Sequence, residues 1–160
     1  CELLGISLAV GPVISDTYGS QNTGRLQKLF KTSLCFGGAS AIIIFLVANV
    51  FAESFAGVFA APDSAVFNIA LSGFYIFAFC FLFMGVNIFG SALFTALSNG
   101  KISALIAFMR SFVFITIGII IWPRLFGIAG IWLAVPIGEI MSLMLTLKFF
   151  WSKKRVYQYL

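Results

Sequence analysis

The 160-residue sequence has no histidine, only three cysteines (Cys1, Cys35 and Cys80) and only 9% charged side chains. Lacking histidine and any CxxC pair, it lacks the donor sets of zinc and iron–sulfur sites. The Ser/His/Asp and Cys/His constellations of hydrolases go with them, and neither a paired-carboxylate arrangement nor a glycine-rich phosphate loop is present. An enzyme is not expected, nor a cofactor. The shortage of charge excludes more. A soluble domain carries about 25% charged residues, whereas this chain has ten Lys and Arg and five Asp and Glu in all. It cannot clothe a water-facing surface. Disordered, collagen-like, coiled-coil and disulfide-scaffold compositions fail at the same step.

What the chain has instead is grease. Hydrophobic residues make up 61% of it, twenty of them phenylalanine, and the mean hydropathy is +1.09. That is the composition of an integral membrane protein. A membrane-crossing helix takes roughly 20 apolar residues, so the chain has room for about four or five. Strands crossing a bilayer would give alternating segments of about 10 residues; these runs are longer and apolar all round, which selects helices. The charges divide the chain into spans at about 3–16, 32–52, 66–98, 101–122 and 128–151, within one transmembrane domain over 1–160. The fold class is therefore all-α, a polytopic helix bundle made of the end of one helix and four transmembrane helices. Because the sequence opens on Cys1 and Glu2, inside what reads as a helix, it is expected to start partway through a larger transporter. Cys35 and Cys80 sit in apolar runs and read as small hydrophobes.

Basic residues set the orientation. Arg25, Lys28, Lys31, Lys101, Lys153, Lys154 and Arg155 fall on one side of the alternation and Arg124 on the other. The first loop, the turn at 99–101 and the C-terminus are thus expected in the cytoplasm. The net charge of +5 is a topology signal, and nucleic acid is not an expected partner. Trp122, Trp151 and Tyr157 read as interfacial anchors.

Two ionisable groups fall inside spans, where charge is costly and turns toward a cavity or a partner. Arg110 lies about 13 Å and Glu139 about 16 Å from the basic ends of their helices at 1.5 Å per residue. Their helices are sequential and antiparallel, so the two groups can meet. They read as a proton- or cation-coupled gate or a site for a charged substrate, with a structural ion pair as the bland alternative. Lone carboxylates in spans are good proton carriers, an aptitude that a nearby guanidinium opposes. Asn87, Ser91, Thr95 and Ser98 recur on one helical face, and Glu139, Ser142 and Thr146 form a shorter stripe. Both stripes suit a polar pathway or helix–helix hydrogen bonds worth roughly 0.6 kcal/mol each. Asn87, with the amide hardest to hide, favours the pathway. Gly130, Ala134 and Gly138 make a small-residue ridge for close helix approach. Pro12 and Pro136 free the carbonyls of Leu8 and Trp132 and are hinge candidates, or fixed bends.

The order of motifs resembles a known family. GISLAVGPVISDTYGSQNTG (5–24), FLFMGVNIFGSALFTALSNGKISALIAFMRSF (81–112) and FGIAGIWLAVPIGEIMSLML (126–145) resemble the C-terminal half of multidrug and toxic compound extrusion (MATE) exporters, especially the MepA-type bacterial branch. The resemblance covers essentially the whole chain and implies the end of helix eight and helices nine to twelve of a twelve-helix antiporter. It implies multidrug efflux by alternating access, in which Na⁺ or H⁺ enters as a cationic amphipathic drug leaves. It also implies a missing N-terminal lobe as partner, a bacterial plasma membrane, and Asn87, Arg110 and Glu139 as pathway residues. The rival readings are a related lipid-linked oligosaccharide flippase, which wants a strongly cationic cavity, and a non-transporting membrane scaffold, whose polar stripes would face neighbouring helices.

Overall fold

The structure, a computed structural model, describes residues 2–62 and 64–159, with no account of the side chains at 2–4 and 6–8. Cys1 lies outside the described residues. Every regular element among the described residues is helical: α1 (Glu2–Gly19), α2 (Thr23–Val50), α3 (Ala52–Phe59), α4 (Ala65–Ala78), α5 (Cys80–Ala96), α6 (Gly100–Phe108), a π-turn (Met109–Phe114), α7 (Ile115–Phe126) and α8 (Ile128–Tyr157). Polar side chains start several of these helices. Asn22 accepts from the Arg25 amide, Ser64 from Phe67 and Asn99 from Ile102, each satisfying a donor that the first turn leaves free.

Helices α2, α6–α7 and α8 are each long and apolar enough to cross a membrane, and α4–α5 forms a fourth such unit bent by 41°. The bend falls at Phe79, between α4 and α5, so the apolar run expected as one span at 66–98 is two helices. Neither proline nor glycine stands at the break. The halves instead meet α8 at different places, α4 through Gly73 beneath the Trp132 indole and α5 through Gly90 beneath Thr146. A second irregularity, the π-turn, lies within the span expected at 101–122. By contrast, α1 and α8 run on as continuous helices through Pro12 and Pro136.

Two helices outrun the apolar stretches that announce them. α2 begins at Thr23, ahead of Arg25, Lys28 and Lys31, and α8 continues to Tyr157 past Lys153, Lys154 and Arg155. Hydropathy marks only the part of a helix that suits lipid, while backbone hydrogen bonding continues into water. At 30 residues, α8 is about 45 Å long, against a hydrocarbon core of about 30 Å. The connection between the spans expected at 32–52 and 66–98 contains most of the short helix α3.

The antiparallel course gathers the α1–α2 turn, the α5–α6 turn and the C-terminal tail at one end. Asn99 Nδ2 donates to Tyr157 Oη (2.8 Å), Gln27 Nε2 to the Gln158 carbonyl (3.2 Å), and the rings of Tyr18 and Tyr157 meet edge-on. Gln158, in the left-handed conformation (φ 54°), ends α8. The chain then folds Tyr159 into an aromatic layer with Phe30 and Phe150, where its hydroxyl donates to the Phe150 carbonyl. Leu26, Phe89, Leu93, Phe94 and Ile106 complete this core. Large apolar side chains such as Ile43, Val50, Phe112 and Met144 cover much of the outer surface. That surface fits lipid.

Candidate functional site

Three spanning units meet at one buried polar cluster. Asn87 comes from α5, Arg110 from the π-turn, and Glu139, Ser142 and Thr146 from α8. The last three share a face because the spacing 139, 142, 146 follows the helical repeat. Asn87 is wholly buried. Its Nδ2 donates to Glu139 Oε2 (2.7 Å) and to the Glu139 backbone carbonyl (2.9 Å), and its Oδ1 accepts from Thr146 Oγ1 (3.2 Å). One amide thus uses both its donor and its acceptor on α8, at residues 139 and 146. Gly90 makes this possible: a Cβ there would overlap the Thr146 methyl group and meet the Phe150 ring at 3.4–3.5 Å.

The second carboxylate oxygen, Glu139 Oε1, faces Arg110 Nη1 at 3.6 Å. That is ion-pair range but too long for a hydrogen bond. The side chains are 22% exposed at Arg110 and 5% at Glu139, so the charges interact across a largely dry gap. Arg110 Nη1 and Ser142 Oγ are buried without hydrogen-bond partners. The site is therefore incompletely satisfied, in a protein interior where buried polar groups are normally paired. Arg110 is carried on a π-turn, a rare element that concentrates at functional sites and shifts the helical register around it.

The polar stripe on α5 divides. Four residues of α-helix rotate by about 400°, so positions four apart drift by about 40°, and Thr95 has turned away from the direction of Asn87. Ser91 and Thr95 face α6, where their hydroxyls lie 3.0 and 2.7 Å from Ser103 Oγ. Ser98 leaves the stripe altogether and occupies the α5–α6 turn with φ 59°. Among the sequence candidates, Asn87, Arg110 and Glu139 meet, while Ser91 and Thr95 belong to a separate α5–α6 contact. Thr146 was a minor member of the α8 stripe and is a direct partner of Asn87. Ser103 was not singled out, although its place opposite Ser91 and Thr95 across the hairpin is a signal once the turn at Asn99 is fixed.

The small-residue ridge of α8 lies on the preceding span. A Cβ at Gly130 would strike the Trp122 backbone carbonyl, and Ala134 lies against Gly118. Gly138 meets Phe114 and Ile115, next to the π-turn. This seam holds the Arg110 segment beside Glu139. Pro136 is buried one turn before Glu139. Pro12 is exposed on α1, away from the cluster. No group of three or more His, Cys, Asp or Glu side chains suited to a metal ion exists among the described residues.

Comparison with known proteins places these features in context. The MatE family model matches residues 2–120. A solved structure described as "protein A" is similar to this chain at 26% identity and a TM-score of 0.88, over 97% of this chain and 34% of its own length. The chain thus spans about a third of the structure it resembles. No curated protein matches.

Proposed function

The chain belongs to the MatE family of membrane transporters, and from that premise we propose that it is part of the C-terminal lobe of a MepA-type multidrug exporter. In this reading the missing N-terminal lobe completes a central cavity between two lobes. Na⁺ or H⁺ moves inward and a cationic amphipathic drug moves outward by alternating access. The protein resides in a bacterial plasma membrane, with the basic end of the bundle and the C-terminus in the cytoplasm. The observation that carries the reading is Glu139: a carboxylate enclosed among spanning helices, hydrogen-bonded on one oxygen and facing Arg110 at 3.6 Å on the other.

That arrangement suits coupling. A cation or proton arriving at Oε1 competes with Arg110 for the same negative charge, so binding loosens the tie between the π-turn and α8. Its departure restores the pair. Asn87 keeps the carboxylate aimed in both states, because its bond to the Glu139 backbone carbonyl does not depend on the charge. Pro136, one turn away, removes a backbone hydrogen bond from α8 and gives the helix a place to yield. A flippase for anionic glycolipids would want an excess of positive charge in its cavity. Here the charge of Arg110 is matched by Glu139, which supports the antiporter over the flippase.

The test is dye efflux by the full-length protein in proteoliposomes under imposed Na⁺ or pH gradients. Glu139→Gln is expected to lower gradient-driven efflux at least tenfold per reconstituted folded transporter, in line with the loss of a specific acid–base or ion-binding group; Asn87→Ala lowers it less. Unchanged efflux in both variants would reduce the cluster to a packing device. Efflux by the wild type that ignores both gradients would favour the flippase or the scaffold.

A further inference from the structure

The basic end of the bundle carries a groove separate from the Asn87–Arg110–Glu139 cluster. It lies between the start of α2 and the end of α8, has a volume of about 540 Å³, and is walled by Thr23, Gln27, Trp151, Lys154, Arg155 and Gln158. The backbones of α2 and α8 stay apart. Beneath the groove they are bridged by aromatic rings, Phe30 to Phe150 at 5.3 Å and Phe30 to Tyr159 at 5.0 Å between centroids. Above that layer the Gln27–Gln158 hydrogen bond is a further tie.

The groove is electrically one-sided. No acidic residue lines it, and the ion pair formed among the described residues is the distant Arg110–Glu139 contact. Among the described residues no carboxylate pairs with Lys154, which rests over the Trp151 ring at 3.8 Å from its centroid. Arg25, Lys28 and Lys31 add exposed positive charge on the first turns of α2. Lys31 follows Gln27 one turn further along α2, about 40° around the helix from it.

Its approach from the bilayer is apolar. Met144, Leu147 and Trp151 form one stripe of α8 by their spacing, and they are 67%, 50% and 73% exposed. On a helix that crosses lipid, this stripe is a track for hydrocarbon that ends at the cationic wall. Lys148 is exposed on the same stripe, about 4.5 Å deeper than Trp151, within the range where long basic side chains reach back to the interface. A soluble anion needs the cations but not the track. A zwitterionic lipid fits the track but brings no net charge to match the wall.

We propose that this groove binds the headgroup of an anionic phospholipid. Lys154 and Arg155 hold the phosphate, Thr23 and Gln27 offer hydrogen bonds to the rest of the headgroup, and an acyl chain lies along Met144 and Leu147. The bound lipid adds a second bridge between two helices whose backbones stay apart and which meet beneath it through Phe30 and Phe150. The proposal does not depend on which ion or drug is transported.

The full-length transporter in detergent is titrated with phosphatidylglycerol or phosphatidylcholine and read by native mass spectrometry. The wild type is expected to retain phosphatidylglycerol at least tenfold better than phosphatidylcholine. Lys154→Gln with Arg155→Gln is expected to weaken phosphatidylglycerol binding roughly thirtyfold, the effect of two basic charges near a membrane, and to erase the preference. The charge-keeping pair Lys154→Arg with Arg155→Lys retains it, and a tenfold excess of inorganic phosphate leaves the lipid in place. Equal retention of the two lipids by the wild type overturns the proposal, as does unaltered phosphatidylglycerol binding in the glutamine variant. Displacement by inorganic phosphate also overturns it and marks a site for soluble anions.

Discussion

Cutting the Arg110–Glu139 pair from each side in turn is the sharpest probe of the buried cluster. Two unit charges 3.6 Å apart attract by about 5 kcal/mol at an effective dielectric of 20, and desolvation of both groups offsets much of that. Glu139→Gln removes the negative charge but keeps an oxygen for Asn87 Nδ2, so the amide contact survives and the electrostatic part is isolated. It leaves a guanidinium about 13 Å inside the span with no counter-charge, at a cost of about 3–5 kcal/mol. Arg110→Met leaves the carboxylate similarly stranded, relieved in part by Asn87. In the double variant no orphan charge remains, so its loss should be well below the sum of the singles. The expected coupling is roughly 2–3 kcal/mol. Equilibrium unfolding of the full-length protein in bicelles measures all four corners of the cycle. Losses that add to within about 0.5 kcal/mol would mean that the two charges do not feel each other and that the account of the cluster is wrong.

The small-residue seam predicts opposite outcomes for two similar changes. Gly130→Ala drives a methyl group into the Trp122 carbonyl and should cost about 1–3 kcal/mol. Gly138→Ala finds ordinary contacts at 3.6–3.7 Å and should be neutral or gain up to about 1 kcal/mol of helix propensity. Thermal unfolding of the purified variants tells them apart. In the tail, Tyr159→Ala should cost about 3–5 kcal/mol through loss of a buried aromatic ring, and should speed hydrogen exchange in the α1–α2 turn. Burial pushes the Tyr159 phenol above its ordinary value, near 10 in the unfolded chain. The undocked tail therefore ionises first, and docking weakens as pH rises through that value; Tyr159→Phe should abolish this alkaline sensitivity at a cost of about 1 kcal/mol.

Much of the architecture is legible in the sequence because lipid imposes a coarse code. Long uncharged runs exclude strands, and Asn22, Ser64 and Asn99 mark helix starts by a local mechanism. The basic residues outside the spans fall almost entirely at one end, and the folded chain brings their three segments together. The meeting of Arg110 and Glu139 is also accessible, since similar depth on sequential antiparallel helices is simple arithmetic. The bend at Phe79 is not. Nothing in the run from Val66 to Leu97 interrupts helical hydropathy, and the break reflects how each half seats on α8 through Gly73 and Gly90. The division of the α5 stripe follows from a drift too small to notice over one step and decisive over two. The burial of Tyr159 is not legible in the sequence, because a polar-tipped residue after a basic helix end looks like a solvated tail, and only the facing Phe30 and Phe150 make it core.

The π-turn also makes chain length matter at one place in the protein. Each residue of an α-helix turns the chain by about 100°, and a π-turn absorbs one residue more than the regular spiral does. Delete a single residue between Met109 and Phe114, and the span can straighten only by rotating one half against the other. If Gly118 stays on Ala134, Arg110 swings away from Glu139; if Arg110 stays, the seam opens. The surplus residue lets one helix meet two obligations that a straight spiral cannot satisfy together.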